Sequence, residues 1–404
     1  MTLQPNWLLN IYSTRDFTLS ERLLTESRVL LFYLKMILLP RISDMGLYHD
    51  DIPLSTGIIT PPTTLLSILA IFILISLSFL LRNRAPLLSF GLFFFFIGHI
   101  LESTIYPLEI AHEHRNYVPI YGIILALMFY LLSYAQKQGI GKILKGTAIA
   151  VIFLSAFTTS VRAKTWGDLL EMSFADVKHH PNSARSHYSL GLVYWSLVEL
   201  NDDNQRKYIN NAHHHFTKAA ELSAYHSSGS LIATLMLADK TDSPVALETL
   251  NTLTNQLTNY PLSPFSANSL IKLGQCHTKN ECSLPPILIN SLFDAAINNP
   301  SSSRRIKAKI LASAVDIAVQ DADLERALPL ATKAVELDPD HLQHYLNLSL
   351  VLIYKGNIAE GEQLIRYVED KDSAKAYSDQ TTKQKVLLEE TRQLIENTTP
   401  ATLQ

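Results

Sequence analysis

Apolar and polar positions divide the chain into two regimes. As far as about residue 162 the pattern is one of long apolar runs; from Trp166 onward apolar residues recur with helical spacing in segments of about 12 to 18 residues, broken by Pro, Asn and Ser. Thr63 to Leu81 (TTLLSILAIFILISLSFLL) carries no charge, and about 19 residues at 1.5 Å each cross roughly 30 Å of hydrocarbon. Leu87 to Ile105, Val118 to Ala135 and Gly146 to Val161 read as three further spans. Leu23 to Leu39 makes a fifth if Glu26, Arg28 and Lys35 are tolerated and covered by other helices, each charge costing about 2.5 to 3.5 kcal/mol near a helix centre.

Loop charges set the orientation, because Lys and Arg are retained on the cytoplasmic side. Arg82 and Arg84, then Lys137, Lys142 and Lys145, mark inside loops; Asp44, Asp50 and Asp51, then Glu109 and Glu113, mark outside ones. The pattern predicts a cytoplasmic segment at 1–22, a transmembrane domain at 23–162 with about five helices, and an extracytoplasmic remainder from 163 onward. Residues 1–14 lack the basic, apolar and small-residue order of a removable signal peptide. The expected location is the inner membrane, with the C-terminal half in the periplasm.

In that half Ala327, Ala334 and Pro339, then Tyr345, Leu348, Gly356 and Gly361, fall without a gap into the register of a tetratricopeptide (TPR) unit of about 34 residues. Pro181, Leu190, Gly191 and Tyr194 start a second match, which Ala212, Phe216 and Ala219 continue after an insertion. Such small and aromatic positions let paired helices approach closely and stack on the next pair. The segment from Ser227 to Asn299 is degenerate but helical in pattern, and Val386 to Ile395 reads as a capping helix before a polar tail at 397–404. The predicted fold is all-α: a polytopic transmembrane bundle followed by a TPR-like α-solenoid at 163–396.

Composition agrees with a split chain. At 47% hydrophobic and 18% charged it is too apolar for an average soluble protein and too polar for one that is membrane throughout. Fourteen Gly, 18 Pro and little strand-like alternation exclude collagenous, disordered and β-rich classes. A net charge of -3 offers no polycationic face to a phosphate backbone, which argues against nucleic acid. No glycine-rich phosphate loop, HExxH or GxSxG motif occurs.

The densest polar group at a membrane boundary is His99, Glu102, Glu109, His112, Glu113, His114 and Arg115. His and carboxylate together suit a divalent metal or proton transfer, and Arg115 suits a bidentate phosphate contact; a solvated loop of structural ion pairs is the alternative. His99 and Glu102 share a helical face inside an apolar segment, which calls for a common partner or an aqueous cavity. The adjacent carboxylates Asp50 and Asp51 are the only catalytic candidates, and the same pair suits a turn. Cys276 and Cys282 suit a disulfide in an exported half, whereas their spacing does not match a zinc site. His213, His214 and His215 point in three directions on one helix and do not form a metal tract. Arg185, Tyr188 and Trp195, with Gln343 and Leu346 in the later repeat, occupy positions that face a TPR groove and could hold an extended peptide, unless neighbouring helices cover them.

The string His99-Ile-Leu-Glu102-Ser-Thr-Ile-Tyr-Pro107-Leu-Glu109, then Glu113-His-Arg115-Asn-Tyr117-Val-Pro119, resembles the signature of bacterial membrane proteins with TPR tails, which in turn resemble the transmembrane TPR O-mannosyltransferases of the GT-C glycosyltransferase type. Arg15 to Thr25, the segment Gly46-Leu-Tyr-His49-Asp50-Asp51, and Arg162 with Trp166 leading to Pro181 and Arg185 agree, so the resemblance covers most of the first 200 residues. It implies a lipid-phosphate-linked sugar donor, with Arg115 near the phosphate, and acceptors presented by the TPR groove. The acid pair of GT-C enzymes lies in a first outside loop that has no counterpart here, so the chain is expected to match only the later part of such a membrane domain. Two function classes follow: a membrane-anchored TPR adaptor for exported proteins or peptides, or one section of a glycosyltransferase that needs polyprenyl-phosphate sugar and a separate N-terminal membrane partner. No cofactor is evident; a divalent metal enters only in the enzymatic reading.

Overall fold

The computed structural model describes Tyr12 and residues 15–198 and 204–398, and among these it is all-helical, with 17 α-helices and no strand. Most of the expected segment 1–22 and of the tail 397–404 lies outside the described residues. Two compact units divide at Ser223, Met1–Ser223 and Ala224–Gln404.

In the first unit, α1 (Leu19–Leu38) starts at a capping box in which Thr18 and Glu21 satisfy each other's backbone N–H. The apolar helices are α2 (Thr63–Leu81), α3 (Pro86–His99), α4 (Ile120–Lys137) and α5 (Gly141–Trp166). Three of them, α2, α4 and α5, are long and apolar enough to cross a membrane, and α3 is shorter. None of the residues of α5 is buried in the chain, and its long apolar stretch is consistent with membrane association. α3 and α4 meet at two glycines: a Cβ on Gly91 would lie 2.4 Å from the Gly122 carbonyl oxygen, and one on Gly122 would lie 2.9 Å from that of Gly91. Small residues allow this backbone approach, as in membrane helix pairs generally.

α1, which covers most of the expected fifth span, is not among the helices long and apolar enough to cross a membrane. It carries Glu21, Arg22, Glu26, Arg28 and Lys35, and it lies against the connections on either side of the apolar helices. Arg28 donates to the Pro53 carbonyl at 2.6 Å, Thr25 Oγ1 accepts from the Ser55 amide at 2.8 Å, and Lys35 pairs with Asp44 at 2.7 Å. Arg22 and Tyr33, eleven residues apart, both bond to the 102–112 stretch. Its apolar face, Val29, Tyr33, Leu34 and Met36, packs on Leu92 and Phe95 of α3 and Ile123 of α4. The charges are thus accommodated by loop carbonyls and carboxylates.

The unit ends with α6 (Leu169–His179), α7 (Ala184–Val198) and α8 (Gln205–Leu222). α7 and α8 form a hairpin closed over Gly191, where a Cβ would lie 2.6 Å from the Phe216 ring, and Ala212, Phe216 and Ala219 are fully buried.

The second unit comprises α9 (Ala224–Lys240), α10 (Leu247–Asn259), α11 (Pro264–Thr278), α12 (Pro286–Asn298), α13 (Arg304–Gln320), α14 (Leu324–Leu337), α15 (Leu342–Tyr354), α16 (Ile358–Lys371) and α17 (Ser378–Thr398). Contacts run between successive helices from α12 to α17 and also between every second helix: α9 touches α11, α11 touches α13, α13 touches α15 and α15 touches α17, while α10 touches α12. Ala327, Ala331 and Ala334 are buried at the seam of α14, and Gly361 of α16 leaves no room for a Cβ beside Ile353 of α15, which would lie 2.8 Å away.

Candidate functional site

The charged groups of the first unit converge where the 39–62 and 100–119 connections meet α6 and α7. α3 ends at His99, and the irregular backbone that follows exposes carbonyls that a helix would have used. Arg22, with no exposed surface, answers them: its guanidinium donates to Glu102 O and Leu108 O, both at 2.6 Å, and to Thr104 O at 3.2 Å, and it pairs with Glu26 at 2.8 Å. Arg115 holds the next stretch by donating to Glu109 O at 2.5 Å, with Glu102 3.5 Å from its Nε.

Above this frame the side chains pair in sequence. Arg185 of α7 donates to Glu109 at 2.6 Å and lies 4.3 Å over the Tyr48 ring. Burial alone would raise the Glu109 carboxyl, but Arg185 outweighs it and holds the pKa below the usual value. Asp50 accepts from the Ser183 hydroxyl and, at 3.1 Å, from the Arg185 amide, so it occupies the N-terminus of α7 as a cap contributed from another loop. His180, which closes α6, donates through Nδ1 to Asp51 at 3.0 Å. That bond raises the His180 pKa; for Asp51 the bond and charge of His180 overcome burial and lower it. The Leu47 amide donates to Asp176 at 3.3 Å, and a Cβ at Gly46 would lie 2.7 Å from the His180 ring. Glu113 accepts from Arg162 at 2.9 and 3.1 Å and lies 3.9 Å from His49 Nε2; these two neighbours overcome burial and lower its pKa.

Beside this network a cavity of about 550 Å³ is bounded by Pro40, Ile42, Met45 and Trp166 as well as by Glu113 and Arg162. Its wall is mostly apolar and its cation, Arg162, lies at the C-terminal end of α5.

The site residues legible in the sequence are thus partly united and partly separated. Glu109, Glu113 and Arg115 belong to one network with Asp50, Asp51 and Arg185. His99 and Glu102 do not share a partner: His99 is buried, donates Nδ1 to Phe95 O at 2.9 Å and stacks on Tyr33, while the Glu102 carboxylate faces Arg115. His112 and His114 contact each other through their Nδ1 atoms at 2.8 Å. Of the residues assigned to a groove, Arg185 is engaged by Glu109, Tyr188 and Trp195 pack on the Phe216 ring, and Gln343 donates to Asn347. Leu346 is fully buried and lines no groove. Cys276 and Cys282 are joined, with Cα atoms 5.5 Å apart. Arg22, Asp176 and His180 are the members that local pattern did not single out; beside His180, Pro181 served only as a TPR register position.

No protein-family model matches the chain, and no curated protein matches it.

Proposed function

We propose that this is a membrane-anchored adaptor whose C-terminal helical array captures exported proteins or peptides. The observation that carries the reading is the contact pattern of the second unit, in which every second helix touches the next of its own row. Stacked helix pairs produce that arrangement in α-solenoids, and the buried Ala and Gly positions at the helix seams support TPR-like pairs. α2 to α5 form four spans, with Arg82, Arg84, Lys137, Lys142 and Lys145 inside. α1 is then an interfacial helix on the outer face, bound to the same loops as α6 and α7, and the chain approaches and leaves the membrane on one side. The carboxylates Asp50 and Asp51 are occupied as helix cap and histidine partner, which supports a positioning role over a catalytic one.

The resemblance to GT-C proteins supports kinship with glycosyltransferases. A second reading, a section of such an enzyme that holds a polyprenyl-phosphate donor, is favoured by the cavity that joins apolar walls to the Arg162 guanidinium. Arg115 is spent on loop carbonyls and supports it less.

Mild crosslinking in intact cells, followed by mass spectrometry of bound proteins and lipids, separates the two. The adaptor predicts exported proteins on the full chain and none on a membrane-inserted variant ending at Ser223. Recovery of a polyprenyl-phosphate species, lost in Arg162→Ala, with no exported protein attached, would overturn it.

A further inference from the structure

We propose that His49, Asp51 and His180 form a binding site for a zinc-class divalent cation that ties the 39–62 connection to the end of α6. One ligand atom from each of the three can be chosen so that all lie within 4.8 Å of one another. Zinc with bonds of about 2.0 to 2.2 Å needs ligand atoms roughly 3.5 Å apart. The Asp51–His180 contact at 3.0 Å already meets that spacing, so closing the set takes a side-chain movement of about 1 Å at His49.

Three observations beyond proximity support a ligand. His49 and His180 are both more than nine-tenths buried, with their rings 5.1 Å apart and edge to face. The Nε2 atom of His49 is buried without a hydrogen-bond partner, so this imidazole is incompletely satisfied. Gly46, which admits no Cβ against the Cδ2–Nε2 edge of His180, keeps the opposite Nδ1 edge turned to Asp51. Glu113, 3.9 Å from His49 Nε2, is placed to supply a fourth oxygen or to hold a bound water. Two imidazoles with one carboxylate favour zinc over magnesium or calcium, which take oxygen ligands.

The test uses the purified full chain in detergent, stripped with chelator and titrated with Zn²⁺. One equivalent should bind, with X-ray absorption showing a nitrogen and oxygen shell at about 2.0 to 2.1 Å. Asp51→Asn and His49→Gln should each weaken binding by about 100-fold or more, at or beyond the upper end of what loss of an outer-shell partner costs. His99→Gln, a buried histidine outside the set, should leave binding unchanged. Because the ligand variants could fail to fold, the wild-type chain is also loaded with Cu²⁺, treated with ascorbate and mapped by peptide mass spectrometry; oxidation should fall on His49 and His180. Absence of Zn²⁺ binding, or oxidation confined to the His112–His114 or His187–His215 pairs, would overturn the site.

Discussion

Arg22→Met removes the guanidinium that closes the connection after α3. The wild-type side chain makes three hydrogen bonds of 2.6 to 3.2 Å to Glu102, Thr104 and Leu108 carbonyls and pairs with Glu26, which is 1% exposed. Breaking a buried pair by removing one partner costs about 3 to 5 kcal/mol, because the remaining charge stays buried. Each carbonyl left without a donor adds on the order of 1 kcal/mol where water cannot reach it. The terms overlap, so we take about 4 kcal/mol as the net loss, a large part of the roughly 5 to 15 kcal/mol that holds a domain folded. For a unit of this size that corresponds to a fall in Tm of about 8 °C or more.

Two readouts apply in detergent: thermal stability followed by fluorescence-detected gel filtration, and amide hydrogen exchange of residues 102–112. Exchange should rise there first, since local opening is governed by the bonds lost locally. Arg22→Lys should fall between wild type and Arg22→Met, because an ammonium cannot span the carbonyls as the planar fork does. Adding Glu26→Gln to Arg22→Met should recover up to about 2 kcal/mol when stability is measured near pH 9, above the Glu26 pKa that burial raises to about 7 even with Arg22 beside it. Unchanged exchange at 102–112 in Arg22→Met, or a double variant no more stable than the single one, would refute the clamp.

Gly91→Leu should force α3 and α4 apart, costing about 1 to 3 kcal/mol as overpacking, and should be visible as loss of a disulfide engineered across that helix pair; efficient crosslinking would count against the close approach. Asp50→Ala should cost about 1 kcal/mol as a lost helix cap and expose the α6–α7 connection to protease, with Asp50→Asn retaining most of the protection. Burial, with His341 nearby, lowers the His344 pKa to about 4, against the partial opposition of Asp338. A histidine held neutral in the fold contributes stability that is intact above about pH 6.5 and is lost as pH falls from there towards 4, here by up to about 3 kcal/mol. Thermal unfolding of the His344→Phe variant should show a shallower pH slope over that window, and an identical slope would exclude the assignment.

The apolar helices were legible because their signal is local and one-dimensional: Thr63 to Leu81 begins and ends as the uncharged run does. The small residues were legible for a similar reason, since Gly191, Ala212, Ala327 and Gly361 sit at spacings that only close helix pairs require. The charges of α1 were harder to place from sequence, because an insertion cost is counted residue by residue, whereas their hydrogen-bond partners are distant in sequence: Arg28 donates to Pro53 and Arg22 to carbonyls beyond residue 100. The site shows the same limit more strongly. Asp51 and His180 lie 129 residues apart, and Asp50 meets Ser183 across 133. An Asp-Asp pair in a loop is chemically the same sequence feature whether it faces a substrate or caps a helix. The element docked on it decides, and here the docked element is α6–α7, which engages Asp50 as a helix cap and Asp51 as a histidine partner. It follows that the loop and α6–α7 must be interpreted as one structure: a variant in either should be read first for its effect on their joint, and for an effect on chemistry only if the joint survives.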